Sequence, residues 1–315
     1  MEYRQLGETR LNVSRLCFGV LTIGPFQANL PVPEGAAVVR YALENGVNFM
    51  DTAEYYKTYP YIRDALKGYP GDVIIASKSY AYTAAMMAKS VEEARRAMDR
   101  DVIDIFLLHE QESALTIKGH WEAFEYLLKC RQQGIIRAAG ISTHTVAGVQ
   151  AATLIPEIEI IHPLYNVSGV GITDGTPDEM GAAIASAVSA GKGIYGMKPL
   201  GGGNLLADVD KALAFVLDNE NLHAVAIGMK AREEVDMNIG LFTGQPVSGD
   251  LRGRVNSIPR KLHIESWCQG CGKCVERCSS QAIRLTDGQA TVDQKACRLC
   301  GYCGAACEEF CIKII

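Results

Sequence analysis

The sequence predicts an α/β chain: a (β/α)8 barrel of the TIM type followed by a small α+β module organised around cysteine. Three observations lead there. Eight short apolar runs alternate with amphipathic segments over roughly the first 240 residues, close to the ~250 that such a barrel takes. No Gly-x-Gly-x-x-Gly turn follows the first run, where a doubly wound sheet would normally carry one. Nine of the eleven cysteines lie between Cys268 and Cys311.

Taken in order, a hairpin-like start pairs Tyr3-Arg4-Gln5-Leu6 with Leu11-Asn12-Val13-Ser14 around Gly7-Glu8. Strands are expected over Leu16 to Val20, Val47 to Met50, Val73 to Ser77, Ile103 to Leu108, Arg137 to Ile141, Ile158 to His162, Gly193 to Met197 and Ala224 to Ile227. Helical spacing of apolar residues marks Pro33 to Glu44, Ser90 to Arg100, Gly119 to Gln133, Pro177 to Ala190 and Ala231 to Leu241. This places the barrel in residues 1–245 and the cysteine module in 267–315. Residues 246–266, within a stretch rich in Gly, Pro, Ser and Arg, read as a linker or docking strap. The loop from Pro163 to Thr176 is long enough to select substrate or close over a nucleotide, or to be a surface excursion. Gly201-Gly202-Gly203 follows the seventh strand, where barrels tend to place a phosphate-binding loop; the alternative is a plain turn.

Composition narrows the function. With 31 basic against 36 acidic residues the chain has no electrostatic footprint for nucleic acid. The N-terminus has no signal-peptide core, and no apolar run approaches the ~20 residues of a membrane span, so no membrane association and a cytoplasmic location are expected.

Clustered cysteines point to metal. The spacing Cys-x-x-Cys-x-x-Cys-x-x-x-Cys occurs twice, as Cys268, Cys271, Cys274, Cys278 and as Cys297, Cys300, Cys303, Cys307. Four-cysteine zinc sites are the alternative, though they seldom interleave two such runs. Cys17 and Cys130, in apolar surroundings, read as small buried hydrophobes. From Trp267 to Ile315 the segment resembles the bacterial two-cluster ferredoxins, except that Ser279 and Glu308 stand where a proline usually follows the fourth cysteine. The resemblance implies two 4Fe-4S clusters, with the fourth cysteine of each run serving the other cluster. Cys268, Cys271, Cys274 and Cys307 then hold one, and Cys297, Cys300, Cys303 and Cys278 the other. Cys311 has no slot in this scheme and reads as a buried side chain near the second cluster or a substitute ligand. A module this small buries too little apolar surface to fold unaided, so the clusters should supply its stability.

Barrel enzymes place their chemistry at the C-terminal ends of strands. Four titratable residues fall there: Asp51, Tyr56, Lys78 and His109. Individually they read as a helix cap, rim polar groups and a solvated charge. Together, Asp51-Thr52-Ala53-Glu54-Tyr55-Tyr56, Ala76-Ser77-Lys78, Leu107-Leu108-His109 and Gly140-Ile141-Ser142 resemble the aldo-keto reductases, and specifically a bacterial and archaeal branch with a C-terminal ferredoxin domain.

The resemblance implies that Tyr56 is a general acid toward a carbonyl oxygen while NADPH or NADH delivers hydride. Lys78 would lower the Tyr56 pKa, Asp51 would orient Lys78, and His109 would orient the carbonyl. For the nicotinamide it implies Ser142, with Thr143 in place of the family's asparagine, His162 in place of its glutamine and Met197 in place of its stacking aromatic. Lys198, Leu200, Gly201 and Gly202, which follow Met197, are further candidates for the cofactor, and Gly228, Lys230, Arg232 and Asn238 would take the adenosine end, with NADPH slightly favoured.

No flavin motif is evident, and clusters move single electrons whereas hydride moves two. Three readings therefore stay open: electron exchange between clusters and barrel, with a ferredoxin or other redox protein as partner; a conventional reductase of small carbonyl or alcohol substrates whose module docks partners or caps the pocket; and an electron-transfer protein with a scaffold barrel.

Overall fold

The computed structural model describes residues 1–315. Strands β1 (Tyr3–Gln5) and β2 (Asn12–Ser14) form an antiparallel hairpin. It carries Leu6, Leu11 and Val13 into the barrel interior, so the hairpin acts as a bottom plug.

Eight parallel strands then close a barrel: β3 (Leu16–Gly19), β4 (Phe49–Asp51), β5 (Ile74–Ser79), β6 (Ile103–Leu108), β7 (Ile136–Thr143), β8 (Ile160–Pro163), β9 (Gly193–Met197) and β10 (Ala224–Gly228). Strand β10 pairs back onto β3 through Val225 and Leu16. Alternation along each strand sorts the side chains. Cys17, Phe49, Ile105, Leu107, Ile160 and Ala224 fill the interior. Phe18, Met50, Phe106, Leu108 and Ile161 face the surrounding helices, where Cys130 also packs.

Nine helices surround the strands: α1 (Val32–Glu44), α2 (Tyr59–Leu66), α3 (Ala84–Met98), α4 (Ala114–Gly119), α5 (Trp121–Gln132), α6 (Val146–Thr153), α7 (Pro177–Ser189), α8 (Val209–Leu217) and α9 (Arg232–Phe242). Of these, α2, α4, α6 and α8 are not expected from sequence. Each has only two turns or so, too short for apolar spacing to stand out. Side-chain caps mark three of their starts, Ser113 accepting from the Thr116 amide, Thr145 from the Gly148 amide and Asp208 from the Lys211 amide.

The segment 246–266 is more than a connector. It contains α10 (Gly249–Ser257), capped by Ser248 and packed on α9, and then β11 (Leu262–Ile264). The module continues with α11 (Lys273–Arg277), the hairpin of β12 (Ile283–Thr286) and β13 (Gln289–Val292), α12 (Tyr302–Ala305) and β14 (Ile312–Ile314). Because β11 pairs antiparallel with β14, the cysteine-bearing sheet begins before the boundary expected at residue 267. Its small core combines Leu262, Ile283, Ala290, Ile312 and Ile314 with Cys274 and Cys303.

The module seats on the barrel through the glycine turn after β9. A Cβ on Gly203, whose φ is +88°, would lie 2.1 Å from the Ile314 carbonyl oxygen. The Asn204 side-chain amide donates to the Ile312 carbonyl at 3.0 Å. Gly203→Ala is therefore expected to destabilise the full chain by about 1–3 kcal/mol, seen as a lower thermal midpoint. An unchanged midpoint would show that the contact yields at no cost.

Candidate active site and cysteine centre

Parallel strands in register bring their C-terminal ends to one mouth, where a single cavity is lined by Asp51, Tyr56, His109, His144, His162, Met197 and Lys198. Tyr56 sits on a 3-10 turn, Glu54–Tyr56, that leaves β4. Glu54 anchors this turn by accepting from Ser79 Oγ at 2.6 Å and Ser90 Oγ at 2.8 Å. Thr52 and Thr58 bond across its base at 2.7 Å.

The Asp51 carboxylate is the hub of the floor. Lys78 Nζ donates to both its oxygens at 2.7 Å and to the Thr52 carbonyl at 2.8 Å, which uses all three ammonium protons. Tyr195 donates its hydroxyl to Asp51 Oδ1 at 3.0 Å. The His162 ring stacks on Tyr195 with centroids 3.8 Å apart, and its Nδ1 donates to the Tyr195 carbonyl at 2.6 Å. Burial lowers the His162 pKa to about 4, the nearby Asp51 charge opposing the shift, so the imidazole is neutral near pH 7.

Above this floor the Tyr56 hydroxyl lies 3.4 Å from His109 Nε2. His109 stacks on Tyr80, centroids 4.3 Å apart, and Tyr80 in turn donates to Glu110 at 2.5 Å. Burial, with the Lys78 and Lys198 charges adding to it, holds the His109 pKa well below the ordinary histidine value. Its Nδ1 is buried without a partner. Lys78 lies 5.2 Å from the centroid of the Tyr56 ring and forms no hydrogen bond to its hydroxyl. Burial first, then the Asp51 and Glu110 charges, push the Tyr56 phenol well above its usual value. The net lowering of the phenol pKa expected from Lys78 is thus not seen, because burial and the Asp51 and Glu110 charges outweigh whatever the ammonium, held by Asp51, contributes.

Of the residues expected to contact a nucleotide, Ser142, Thr143, Gly201, Arg232 and Asn238 do not line the cavity that holds Tyr56. His162, Met197, Lys198, Leu200, Gly202, Gly228 and Lys230 line the same cavity as Tyr56. Ser142 and Thr143 lie beneath it: Ser142 Oγ accepts the Glu110 amide at 2.9 Å, and Thr143 bonds Thr145 at the start of α6. Gly201, Gly202 and Gly203 form the turn on which the cysteine module rests. At the far end Arg232 lies over the Tyr41 ring, and the Asn238 side chain donates to the Glu234 carbonyl at 2.8 Å. Lys230 Nζ donates to the Pro259 carbonyl at 2.9 Å, and Arg260 pairs with Glu234 at 2.8 Å.

Sequence reasoning missed Tyr195, His144, Phe310 and Lys313. Tyr195 could have been found from its inward phase on β9. Phe310 and Lys313 reach the mouth only through the docking of the module.

Of the two cysteine sets expected to hold clusters, the first comes together around one space. Cys268, Cys271, Cys274 and Cys307 line one small cavity together with Cys311 and Glu309, and Glu309 also lines the mouth cavity. These thiols line the space, and no three of them are grouped closely enough to hold a single metal ion. Amide N–H groups are directed at three sulfurs, from Ala290 to Cys268 at 3.4 Å, Ala282 to Cys278 at 3.3 Å and Cys311 to Cys307 at 3.4 Å. In the other set, burial raises Cys303 to about 11, with Cys297 and Cys300 near enough to add to the shift. Cys278 and Cys297 pack on the same small core. Cys311, expected near the second set, instead lies 3.6 Å from Cys307 Sγ, because the chain turns from Cys307 directly into β14.

A barrel whose mouth gathers tyrosine, histidine, lysine and aspartate defines an oxidoreductase. The Aldo/keto reductase family profile matches residues 15–212, and the chain belongs to that family. L-galactose dehydrogenase of Arabidopsis thaliana is 25% identical over 296 residues, covering 77% of this chain and 88% of that protein. The holo form of an aldo-keto reductase from Bacillus halodurans superposes with a TM-score of 0.64 at 23% identity, over 81% of this chain and 95% of that one, a likeness of fold. One component of the ion-translocating oxidoreductase complex of Methanosarcina acetivorans is 42% identical over 54 residues, 17% of this chain and 20% of that component. No helix is long and apolar enough to cross a membrane.

Proposed function

We propose that this chain is an iron-sulfur aldo-keto reductase that reduces a small carbonyl compound, or oxidises the corresponding alcohol, with NADPH or NADH and with two 4Fe-4S clusters in residues 262–315. The observation that carries the reading is the Tyr56 hydroxyl at 3.4 Å from His109 Nε2, above an Asp51–Lys78 pair, at the mouth of a reductase-family barrel.

A bound nicotinamide supplies hydride. The cavity suits a dinucleotide in having cationic groups, Lys230 and Arg260, in its lining at the far end. Tyr56, kept protonated by burial, gives its phenolic proton to the carbonyl oxygen. Neutral His109 orients that oxygen through Nε2, and its stacking on Tyr80 fixes the ring plane. Lys78 does not touch the phenol, but its charge beneath the ring stabilises the phenolate left after proton transfer. Tyr195 and Lys78 together hold Asp51 in place.

The four thiols around a shared space, with amides directed at sulfur, suit a polynuclear cluster better than a single ion. Cys268, Cys271, Cys274 and Cys307 would hold one 4Fe-4S cluster, and Cys297, Cys300, Cys303 and Cys278 the second; each supplies single-electron transfer. The shared wall at Glu309 favours electron exchange with the barrel. A second reading, in which the module caps the pocket, draws support from Phe310, Lys313, Ile314 and Ile315 in the lining of the mouth.

An anaerobic titration with NADPH and NADH separates the two. Bleaching of the visible iron-sulfur absorbance is the expected result; carbonyl turnover with unbleached clusters would leave the capping role instead.

A further inference from the structure

Two lysine side chains at the cavity mouth, Lys198 and Lys313, have no carboxylate partner. Lys198 leaves β9 in the left-handed region, with φ +56°, an uncommon conformation for a residue with a side chain. Its Nζ donates to His144 Nε2 at 2.8 Å and lies 4.9 Å from the centroid of the Phe310 ring. Lys313, only 6% exposed, comes from β14 of the cysteine module and lies 2.8 Å from the same centroid. Its one hydrogen bond goes to the Phe310 carbonyl. The nearest carboxylates are engaged elsewhere, Glu110 by Tyr80 and Glu265 by His263 at 3.1 Å.

Keeping both lysines charged against one ring and away from water is costly unless an anion joins them. Lys313 stands near Cys307 and Cys311 and could serve a cluster's charge. That account does not extend to Lys198, which projects into the cavity that holds Tyr56 and His109. The phosphates of a dinucleotide have Lys230 and Arg260 at the far end.

We propose that Lys198 and Lys313, with His144 between barrel and module, form a receptor for an anionic group, carboxylate or phosphate, carried by the carbonyl substrate. This rests on the reductase reading and adds the substrate class: charged oxo compounds in preference to neutral ones. The receptor is complete only when the module is docked, since one lysine comes from each part of the chain.

The test uses the full chain, purified without air. Turnover of 4-carboxybenzaldehyde is compared with benzaldehyde, and of glyceraldehyde 3-phosphate with glyceraldehyde, so that carboxylate and phosphate are probed separately. The wild-type chain should favour at least one charged member by about 10- to 100-fold in kcat/KM. Lys198→Met and Lys313→Met should each shrink that ratio toward one, and Lys198→Arg and Lys313→Arg should restore much of it. Calorimetry provides a readout besides turnover: terephthalate or inorganic phosphate should bind the wild-type chain and lose affinity in both methionine variants.

Equal turnover of charged and neutral members by the wild-type chain overturns the proposal, as does a rise confined to the nicotinamide KM, which would assign the lysines to the cofactor. A changed cluster potential in Lys313→Met with the substrate ratio intact would assign that lysine to the cluster and also overturn it. If neither member of either pair is reduced, yet terephthalate or phosphate binding still depends on both lysines, the reductase reading fails while the anion receptor stands.

Discussion

Tyr56→Phe should lower kcat for carbonyl reduction by about 10²–10⁴-fold, the range for loss of a positioned general acid, while the iron-sulfur spectrum stays unchanged. Direction and pH dependence follow from the environment of the phenol. Burial and the Asp51 charge hold Tyr56 protonated well above its ordinary range, so the form that donates a proton is present throughout the neutral region. Reduction should therefore show no loss of rate from deprotonation of this group as pH rises toward 10. Alcohol oxidation needs the phenolate, and its rate should climb with pH up to and beyond the ordinary phenol value of about 10. Profiles of kcat in both directions check this; an oxidation rate that levels off near pH 7 would identify another base.

On the proposed two-cluster reading, removing iron should unfold residues 262–315 and leave the barrel intact. The core of the module is small, and cysteine side chains make up much of it. Metal binding is then folding energy for this part of the chain. Anaerobic chelation followed by hydrogen exchange should show protection lost across β11 to β14 and retained in the eight barrel strands. Full protection in the module without iron would mean that the polypeptide alone supplies its stability. Because Phe310 and Lys313 belong to the same module, chelation should also open the mouth of the cavity.

The barrel was legible because its strands are apolar runs at regular intervals, and all eight appear within a few residues of their expected bounds. Asp51, Tyr56, Lys78 and His109 were legible through their place at strand ends, and they do meet at one mouth. Their detailed contacts were not. Whether Lys78 reaches Tyr56 or spends its protons on Asp51 and Thr52 depends on the height of each residue in the barrel, which spacing along the chain does not fix. The glycine turn after β9 illustrates the same limit. Three successive glycines announce a close approach, and from sequence alone an anion is as good a visitor as a strand; here β14 is what approaches. The meeting of Phe310 and Lys313 with residues more than a hundred positions earlier depends on how two folded parts dock, for which local patterns carry no signal.

The Asp51–Lys78 pair sets conformational stability against turnover. Two opposite charges held almost wholly out of water at the top of a barrel are a poor way to strengthen a fold: losing either partner alone strands the other, at about 3–5 kcal/mol, whereas an apolar pair of similar volume often matches or exceeds the original. A selection for thermal resistance alone would therefore drift toward hydrocarbon at these two positions, and persistence of the charges in a heat-hardened descendant would be a sign that reactivity was still being selected.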